Sequence, residues 1–235
     1  MWQKGGEANV SSFFALGGFS LIQYELSLLG IDKSYGSLKA NDSIDLFVRK
    51  GSIHTIIGEN GAGKSTLMSI LSGVVKADNG EIRKNGELIH INSPNDAARY
   101  GIGMVYQEFM NFSELTALDN IIMGNEPIRF GCIDRKGARK KIAEICEKYN
   151  FKIFPDMYVK KMSVSMLQQL EIVKILYRNA DILILDEPTS VLTPQEIEGL
   201  FEALRSLRDK GKTIIIITHK LKEVLDIADE ITVLK

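Results

Sequence analysis

Residues 53–71 read IHTIIGENGAGKSTLMSIL, and the order of apolar and glycine-rich residues in this stretch gives the main evidence for the fold. A short apolar run comes first, a glycine-rich loop follows, and a second apolar run comes after the loop. The loop fits the pattern Gly-x-x-x-x-Gly-Lys-Ser/Thr, with Gly58, Gly63, Lys64 and Ser65 at the fixed positions. The flanking residues predict a buried strand before the loop and a helix after it, which is the context that this pattern requires.

Residue types in this loop are suited to binding phosphate. Glycines allow several backbone N–H groups to point inward at phosphate oxygens, and the helix N-terminus adds partial positive charge there. Lys64 can reach the β- and γ-phosphates, and the Ser65 hydroxyl can bind Mg²⁺. A glycine-rich turn with a chance lysine would not explain why the loop and its flanks agree. We predict a nucleoside triphosphate site formed by Gly58, Glu59, Asn60, Gly61, Ala62, Gly63, Lys64, Ser65 and Thr66.

Length and composition are those of an ordinary globular protein. The chain has 235 residues, 45% of them hydrophobic and 25% charged, enough for one large α/β domain or two small ones. A formal net charge of −1 gives no support for nucleic acid as a partner. Cys132 and Cys146 have no metal-binding spacing and are expected to be reduced thiols.

The N-terminal segment, residues 1–22, differs from the rest. Residues 10–22 are apolar and faintly resemble a signal peptide, but no clear cleavage site is present. A disordered lead-in, an extension from a misplaced start and a packed arm remain open. We expect the folded domain to span residues 23–235, and because the chain stops within a predicted strand we expect a truncated C-terminus. The other apolar runs are too short for a membrane span.

The order of apolar patterns predicts the fold class. Residues 24–30 and 43–48 are expected to be strands, and residues 80–89 a hairpin turning at Asn85-Gly86. A strand at 102–106 precedes an insert of helical spacing at about 108–180. Continuous apolar runs at 182–185, 213–217 and 231–234 then alternate with helices, as in a parallel sheet covered on both faces. The prediction is an α/β fold, a P-loop NTPase core with a mainly parallel sheet, an antiparallel β subdomain and a helical insert.

Five further residues are candidates for nucleotide chemistry. Asp186 and Glu187 end an apolar strand, where ligands lie in open α/β sheets. One carboxylate can hold Mg²⁺ and the other can polarise the attacking water. His219 ends a strand expected to neighbour that of Asp186. Gln107 follows the strand at 102–106 and could reach Mg²⁺ or the attacking water, so it is a catalytic candidate as well as a metal ligand. Tyr35 could stack on adenine. Taken singly, His219, Gln107 and Tyr35 remain open between a functional and a structural role.

In this order the motifs resemble the ATP-binding subunit of an ABC transporter. The resemblance covers residues 24–235. It rests on Tyr35, GENGAGKST (58–66), MVYQE (104–108), ILILDEPTS (182–190) and ITHK (217–220). Longer stretches look like the sugar and nucleoside importer branch, in which one polypeptide carries two ATPase domains in tandem. This chain resembles the first of them. These stretches are KANDSIDLFVRKGSIHTIIGENGAGKST, INSPNDA, LTALDNIIMG and DEPTSVLTPQE.

The resemblance implies a role for each candidate. Tyr35 would stack on adenine and the loop would bind the phosphates of ATP. Glu187 would orient the hydrolytic water, and His219 would contact the γ-phosphate. The ligands of Mg²⁺ would be Ser65, Gln107 and Asp186.

The resemblance also implies partners and a location. The chain would work with a second nucleotide-binding domain, expected in a missing C-terminal half, and with transmembrane permease subunits at the cytoplasmic face of the membrane. ATP hydrolysis would power import of a sugar or nucleoside. The segment 107–123 would dock on the permease, unless its apolar residues pack into the core of the insert. These residues are Phe109, Met110, Phe112 and Leu115.

The sequence departs from the family pattern at the signature Leu-Ser-Gly-Gly-Gln, which caps ATP bound to the partner domain. Residues 162–166 read MSVSM, so Ser163 is retained while Ser165 and Met166 replace a glycine and the glutamine. Thr193 also stands where the family often has aspartate. We therefore expect one working and one weak site in a dimer.

Three other classes of function are less consistent with these motifs. A soluble ABC-type ATPase acting on DNA needs a long coiled coil, and no sustained heptads lie between Lys64 and Asp186. A soluble ABC-type ATPase acting on the ribosome would carry basic inserts, which the net charge of −1 does not support. A small-molecule kinase would not explain Gln107 and His219, and a binding-only module would not need Glu187.

Overall fold

The computed structural model describes residues 24–235, so the expectations for residues 1–22 lie outside it. Eleven strands and seven α-helices follow one another in this part of the chain. In chain order they are β1 (Tyr24–Tyr35), β2 (Leu38–Arg49), β3 (Ile53–Gly58), α1 (Lys64–Leu71), β4 (Asn79–Lys84), β5 (Glu87–Ile89), α2 (Pro94–Arg99), β6 (Ile102–Val105), α3 (Ala117–Ile122), β7 (Ile128–Arg129), β8 (Cys132–Ile133), α4 (Arg135–Tyr149), α5 (Val164–Tyr177), β9 (Ile182–Asp186), α6 (Pro194–Asp209), β10 (Thr213–Thr218), α7 (Leu221–Ile227) and β11 (Glu230–Leu234).

A five-stranded sheet in the order β11-β3-β10-β9-β6 forms the centre of the domain. Every pairing in it is parallel, which confirms the prediction from the continuous apolar runs. Ile184 and Ile215 are paired across β9 and β10, and both side chains are fully buried. Because helices cover both faces, these strands have no polar alternation. The sheet brings the carboxyl ends of β3, β10, β9 and β6 to one edge.

A second, antiparallel sheet has the order β2-β1-β4-β5. The predicted hairpin is confirmed, since Asn85 (φ 51°) and Gly86 (φ 86°) join β4 to β5 with two left-handed residues. β1 and β2 are longer than predicted. Their pairing contains several register shifts, and these shifts break the alternation of apolar and polar residues that a regular strand would show.

The helical insert consists mainly of α3, α4 and α5. Its fully buried side chains Leu118, Ile121 and Leu170 belong to the same hydrophobic cluster as Leu183 and Leu185 of β9. The structure adds a two-stranded hairpin, β7–β8, that the helical spacing did not predict. Within residues 24–235, no helix is both long enough and apolar enough to cross a membrane.

Candidate nucleotide site

The glycine-rich loop lies between β3 and α1, as predicted from its flanks. Gly63 immediately precedes α1 and has a φ of 84°, in the left-handed region. A Cβ atom built there would lie 2.1 Å from the carbonyl oxygen of Ala40 in β2. Glycine is therefore required both by the backbone conformation and by the close approach of the antiparallel sheet.

Lys64 is buried, and its side chain curls back into the loop. Its Nζ donates hydrogen bonds to the carbonyl oxygens of Gly58 (2.7 Å) and Glu59 (2.8 Å). Its side chain is 6% exposed, so the ammonium has lost most of its water. An ammonium held by neutral carbonyls has its charge uncompensated, and phosphate oxygens can supply that compensation.

Asn41 of β2 joins the antiparallel sheet to the loop, and sequence reasoning missed it. Its Nδ2 donates to the carbonyl oxygen of Gly63 at 3.2 Å. The residue is 2% exposed, and its Oδ1 has no hydrogen-bond partner within the described residues. The available signal was a polar residue in a strand, but the register shifts of β1 and β2 hide which face it occupies.

Asp186 ends β9 beside the loop and is half-buried there. Burial and then the neighbouring charge of Glu187 raise the pKa of its carboxyl group. A hydrogen bond from the Ser65 hydroxyl and the charge of Lys64 act in the opposite direction. The structure thus brings Ser65, Lys64 and Asp186 together, as the sequence predicted.

The oxygen donors at this point fit Mg²⁺. A hydroxyl and a carboxylate are the hard ligands that this ion prefers, and it commonly takes its remaining ligands from water and substrate phosphates. The described residues contain no cluster of three or more His, Cys, Asp or Glu side chains that would form an all-protein metal cage. Gln107 lies two residues beyond β6, at the same edge of the sheet, with its side chain exposed.

Glu187 and His219 form a direct contact that the sequence did not predict. The Nδ1 of His219 lies 2.9 Å from the Oε1 of Glu187. Glu187 has a φ of 45°, which is uncommon for a residue other than glycine, and its N–H donates to the carbonyl oxygen of Ile217 at 2.9 Å. The expectation that their strands are neighbours is confirmed, because β9 pairs with β10. Unusual backbone at a hydrogen-bonded polar pair is characteristic of functional sites.

Tyr35 ends β1 of the antiparallel sheet and is 49% exposed. Lys33 Nζ lies 5.6 Å from the centroid of its ring. β1 pairs with β2, and Asn41 of β2 donates a hydrogen bond to Gly63 of the phosphate loop, so Tyr35 is connected to the loop through these contacts. The ring is therefore available for stacking with a planar base.

The signature segment forms the start of α5. Ser163 is the residue that caps this helix, and its Oγ accepts a hydrogen bond from the N–H of Met166 at 3.3 Å. The Oγ of Ser165 lies 3.1 Å from the Oγ of Ser163. The replacement of glycine by serine therefore has a structural result, because the Ser165 hydroxyl adds a second hydrogen bond to the Ser163 hydroxyl.

Thr193, the other departure, caps α6. Its hydroxyl accepts from the N–H of Glu196, and the Glu196 carboxylate accepts from the N–H of Thr193 at 2.9 Å. This reciprocal capping box stabilises the start of the helix. Thr193 thus has a local structural role in this chain.

Comparison with known families agrees with this geometry. Residues 41–190 match the ABC transporter family, and the chain belongs to that family. The match includes the loop, Gln107, the signature segment, Asp186 and Glu187.

Two relatives and a solved structure define the similarity further. The chain is 48% identical over 210 residues to the nucleoside import ATP-binding protein NupA of Lactococcus lactis subsp. cremoris, covering 89% of this chain and 42% of that protein. It is 50% identical over 214 residues to the guanosine import ATP-binding protein NupO of Bacillus subtilis, covering 91% and 42%. An ATP-binding cassette of an ABC transporter in its ADP conformation aligns with a TM-score of 0.79 at 28% identity, covering 90% of this chain and 87% of the other. The chain spans less than half the length of these two relatives.

We predict that Asp186→Asn stabilises the nucleotide-free protein near neutral pH. The pKa of Asp186 is raised on folding, so its contribution to stability is present at low pH and is lost as pH rises through the folded-state value. Removing the charge should therefore raise the melting temperature at pH 7, and the gain should shrink as the pH falls toward about 4, the ordinary range of Asp. Calorimetry across this pH range measures the difference.

Glu198→Gln provides the control, since it removes one negative charge from the exposed surface of α6. A pH-independent effect of Asp186→Asn, equal to that of the control, would contradict the electrostatic assignment of Asp186.

Proposed function

We propose that this chain is the ATP-binding and ATP-hydrolysing motor domain of an ABC importer for a sugar or nucleoside. The observation that carries the proposal is the Glu187–His219 contact at 2.9 Å, just past the ends of β9 and β10, of which β10 pairs directly with the phosphate-loop strand β3. A binding module needs only the loop, whereas hydrolysis also needs a carboxylate to orient water and a polar group near the transferred phosphate.

Each part of the site has a task in this reaction. The loop N–H groups and Lys64 bind the triphosphate, and Ser65, Asp186 and Gln107 would hold Mg²⁺. The ion would neutralise charge on the phosphates. Glu187 orients the attacking water and accepts its proton. Tyr35 stacks on the adenine.

His219 is oriented by Glu187. A carboxylate can only accept hydrogen bonds, so Nδ1 of His219 must be the donor in their contact. This fixes the ring and leaves Nε2 to face away from Glu187. When the ring is protonated, Nε2 also donates and can contact an oxygen of the γ-phosphate.

The proposed partners are supported by the relatives and by an exposed segment. The relatives named above are import ATP-binding proteins, and this chain covers only 42% of each. This supports a second nucleotide-binding domain and permease subunits as partners, with the domain at the cytoplasmic face of the membrane. Met110 (66% exposed) and Phe112 (58% exposed) support docking of the first part of segment 107–123 on the permease, because they do not pack into the insert's core, whereas Leu118 and Ile121 do.

Lys64→Ala should abolish detectable nucleotide binding. The substitution removes the only ammonium that lies inside the loop within residues 24–235, and with it the charge that faces the β- and γ-phosphates. Titration with a fluorescent ATP analogue measures the affinity. Lys140→Ala, on the exposed face of α4, serves as the control. Equal affinities for both variants would exclude the loop as the binding site.

Glu187→Gln should bind ATP with unchanged affinity but hydrolyse it about 10²-fold more slowly, the scale of losing a positioned general base. The amide keeps the size of the side chain and loses its ability to accept a proton. Phosphate release in the assembled transporter measures turnover, with Glu198→Gln as control. Turnover equal to the control would assign the catalytic base to another residue.

The signature predicts poor hydrolysis by a homodimer of this chain. Ser165 adds a side chain where close backbone approach is needed, and its hydroxyl engages Ser163. The unmodified chain should bind ATP and hydrolyse it slowly, because both sites would use this signature. The double variant Ser165→Gly with Met166→Gln should raise the rate. Rapid, cooperative hydrolysis by the unmodified homodimer would show that this signature is functional.

A further inference from the structure

A buried carboxylate on α7 connects the two turns that carry Glu187 and His219. Glu223 is 8% exposed, and the hydroxyl of Thr189 lies 2.7 Å from each of its carboxylate oxygens. The hydroxyl of Thr218 donates to the same carboxylate at 3.2 Å. Both threonines are 2% exposed, so these bonds are shielded from water. Shielding makes them stronger and makes the loss of any partner costly.

Thr189 and Thr218 are placed next to the proposed reacting pair. Thr189 lies two residues after Glu187, in the turn that leaves β9, and Thr218 directly precedes His219 at the end of β10. One carboxylate therefore holds both segments at a fixed separation. Glu223 itself makes no hydrogen bond to Glu187 or His219 among the contacts of residues 24–235.

Lys220 completes the cluster. Its Nζ lies 3.1 Å from Oε1 of Glu223 and donates to the carbonyl oxygen of Thr189 at 3.3 Å. The turn after Glu187 is thus held through both its backbone and a side chain. This matters because Glu187 has a left-handed backbone, and such a conformation persists only where its surroundings enforce it.

We propose that Glu223 is a positioning residue, which acts through Thr189 and Thr218 to hold Glu187 and His219 in contact. The inference rests on the proposed function, in which Glu187 orients the hydrolytic water. A displacement of about 1 Å in such a pair is enough to reduce turnover about 10²-fold. Glu223, Thr189, Thr218 and Lys220 are together called the α7 clamp.

The test measures the His219 ring directly and does not depend on turnover. In the clamped state Nδ1 donates to Glu187, so the neutral ring should be the Nδ1–H tautomer, which ¹⁵N NMR distinguishes from Nε2–H. His219→Asn identifies the signal among the three histidines. The variants are Thr189→Val, which removes the hydroxyl at equal size, Thr189→Ser, which keeps it, and Glu223→Gln, which removes the charge that pairs with Lys220.

Thr55→Val is the matched control. Thr55 is also fully buried, but its hydroxyl has no hydrogen-bond partner within the described residues, and it lies inside β3. Thermal denaturation and circular dichroism establish that each variant is folded. ATP affinity is measured in parallel and should stay within about twofold of the unmodified chain, because tight binding depends on the loop rather than on the clamp.

Thr189→Val should shift His219 to the Nε2–H tautomer and reduce turnover of the assembled transporter at least about tenfold. Thr189→Ser and Thr55→Val should keep the Nδ1–H signal. Glu223→Gln should give a smaller tautomer shift and a smaller loss of turnover than Thr189→Val. An unchanged tautomer and turnover in Thr189→Val would overturn the positioning role, even if the variant were less stable. If Thr189→Val is unchanged while Glu187→Gln loses turnover, the positioning role fails and the proposed function stands. Normal turnover in Glu187→Gln would overturn the proposed function itself.

Discussion

Hydrogen bonding of β10 to two parallel neighbours is the constraint on which the site depends. On one side β10 pairs with β3, which leads into the phosphate loop, and on the other with β9, which ends at Asp186. Ile217 is opposite both Ile56 and Asp186. The register of β10 therefore fixes the position of the loop, along the strand direction, relative to the carboxylates that follow β9. A one-residue slip would also turn every apolar side chain of these strands to the opposite face.

Local patterns were sufficient to predict the parts of the site that lie within one segment. The loop, the apolar strand before Asp186 and the turn at Asn85-Gly86 each combine a residue pattern with its flanks. The contact between Glu187 and His219 could not be predicted in this way, since it joins two segments and depends on the left-handed φ of Glu187. The bond from Asn41 to Gly63 likewise depends on register shifts in β1 and β2.

Ser163 and Thr193 also show where a motif comparison is incomplete. Ser163 matches the signature, yet its hydroxyl caps α5 and contacts Ser165. Thr193 differs from the aspartate often found there, yet it forms a full capping box with Glu196. In both cases the same side chain is a candidate for a contact across a dimer and a determinant of where a helix begins. Sequence alone does not separate these roles, because serine, threonine and aspartate are all good helix caps.

The two bonds from Lys64 to the carbonyl oxygens of Gly58 and Glu59 mean that a bound anion has to compete with acceptors inside the loop. An incoming anion must replace neutral acceptors that the ammonium already has, so its gain comes from its charge and from the contacts that it makes beyond the ammonium. A polyphosphate offers many acceptor oxygens and additional charge, and it engages the loop N–H groups at the same time. The internal carbonyls thus favour a ligand that contacts the ammonium and the loop N–H groups together over an anion that contacts the ammonium alone.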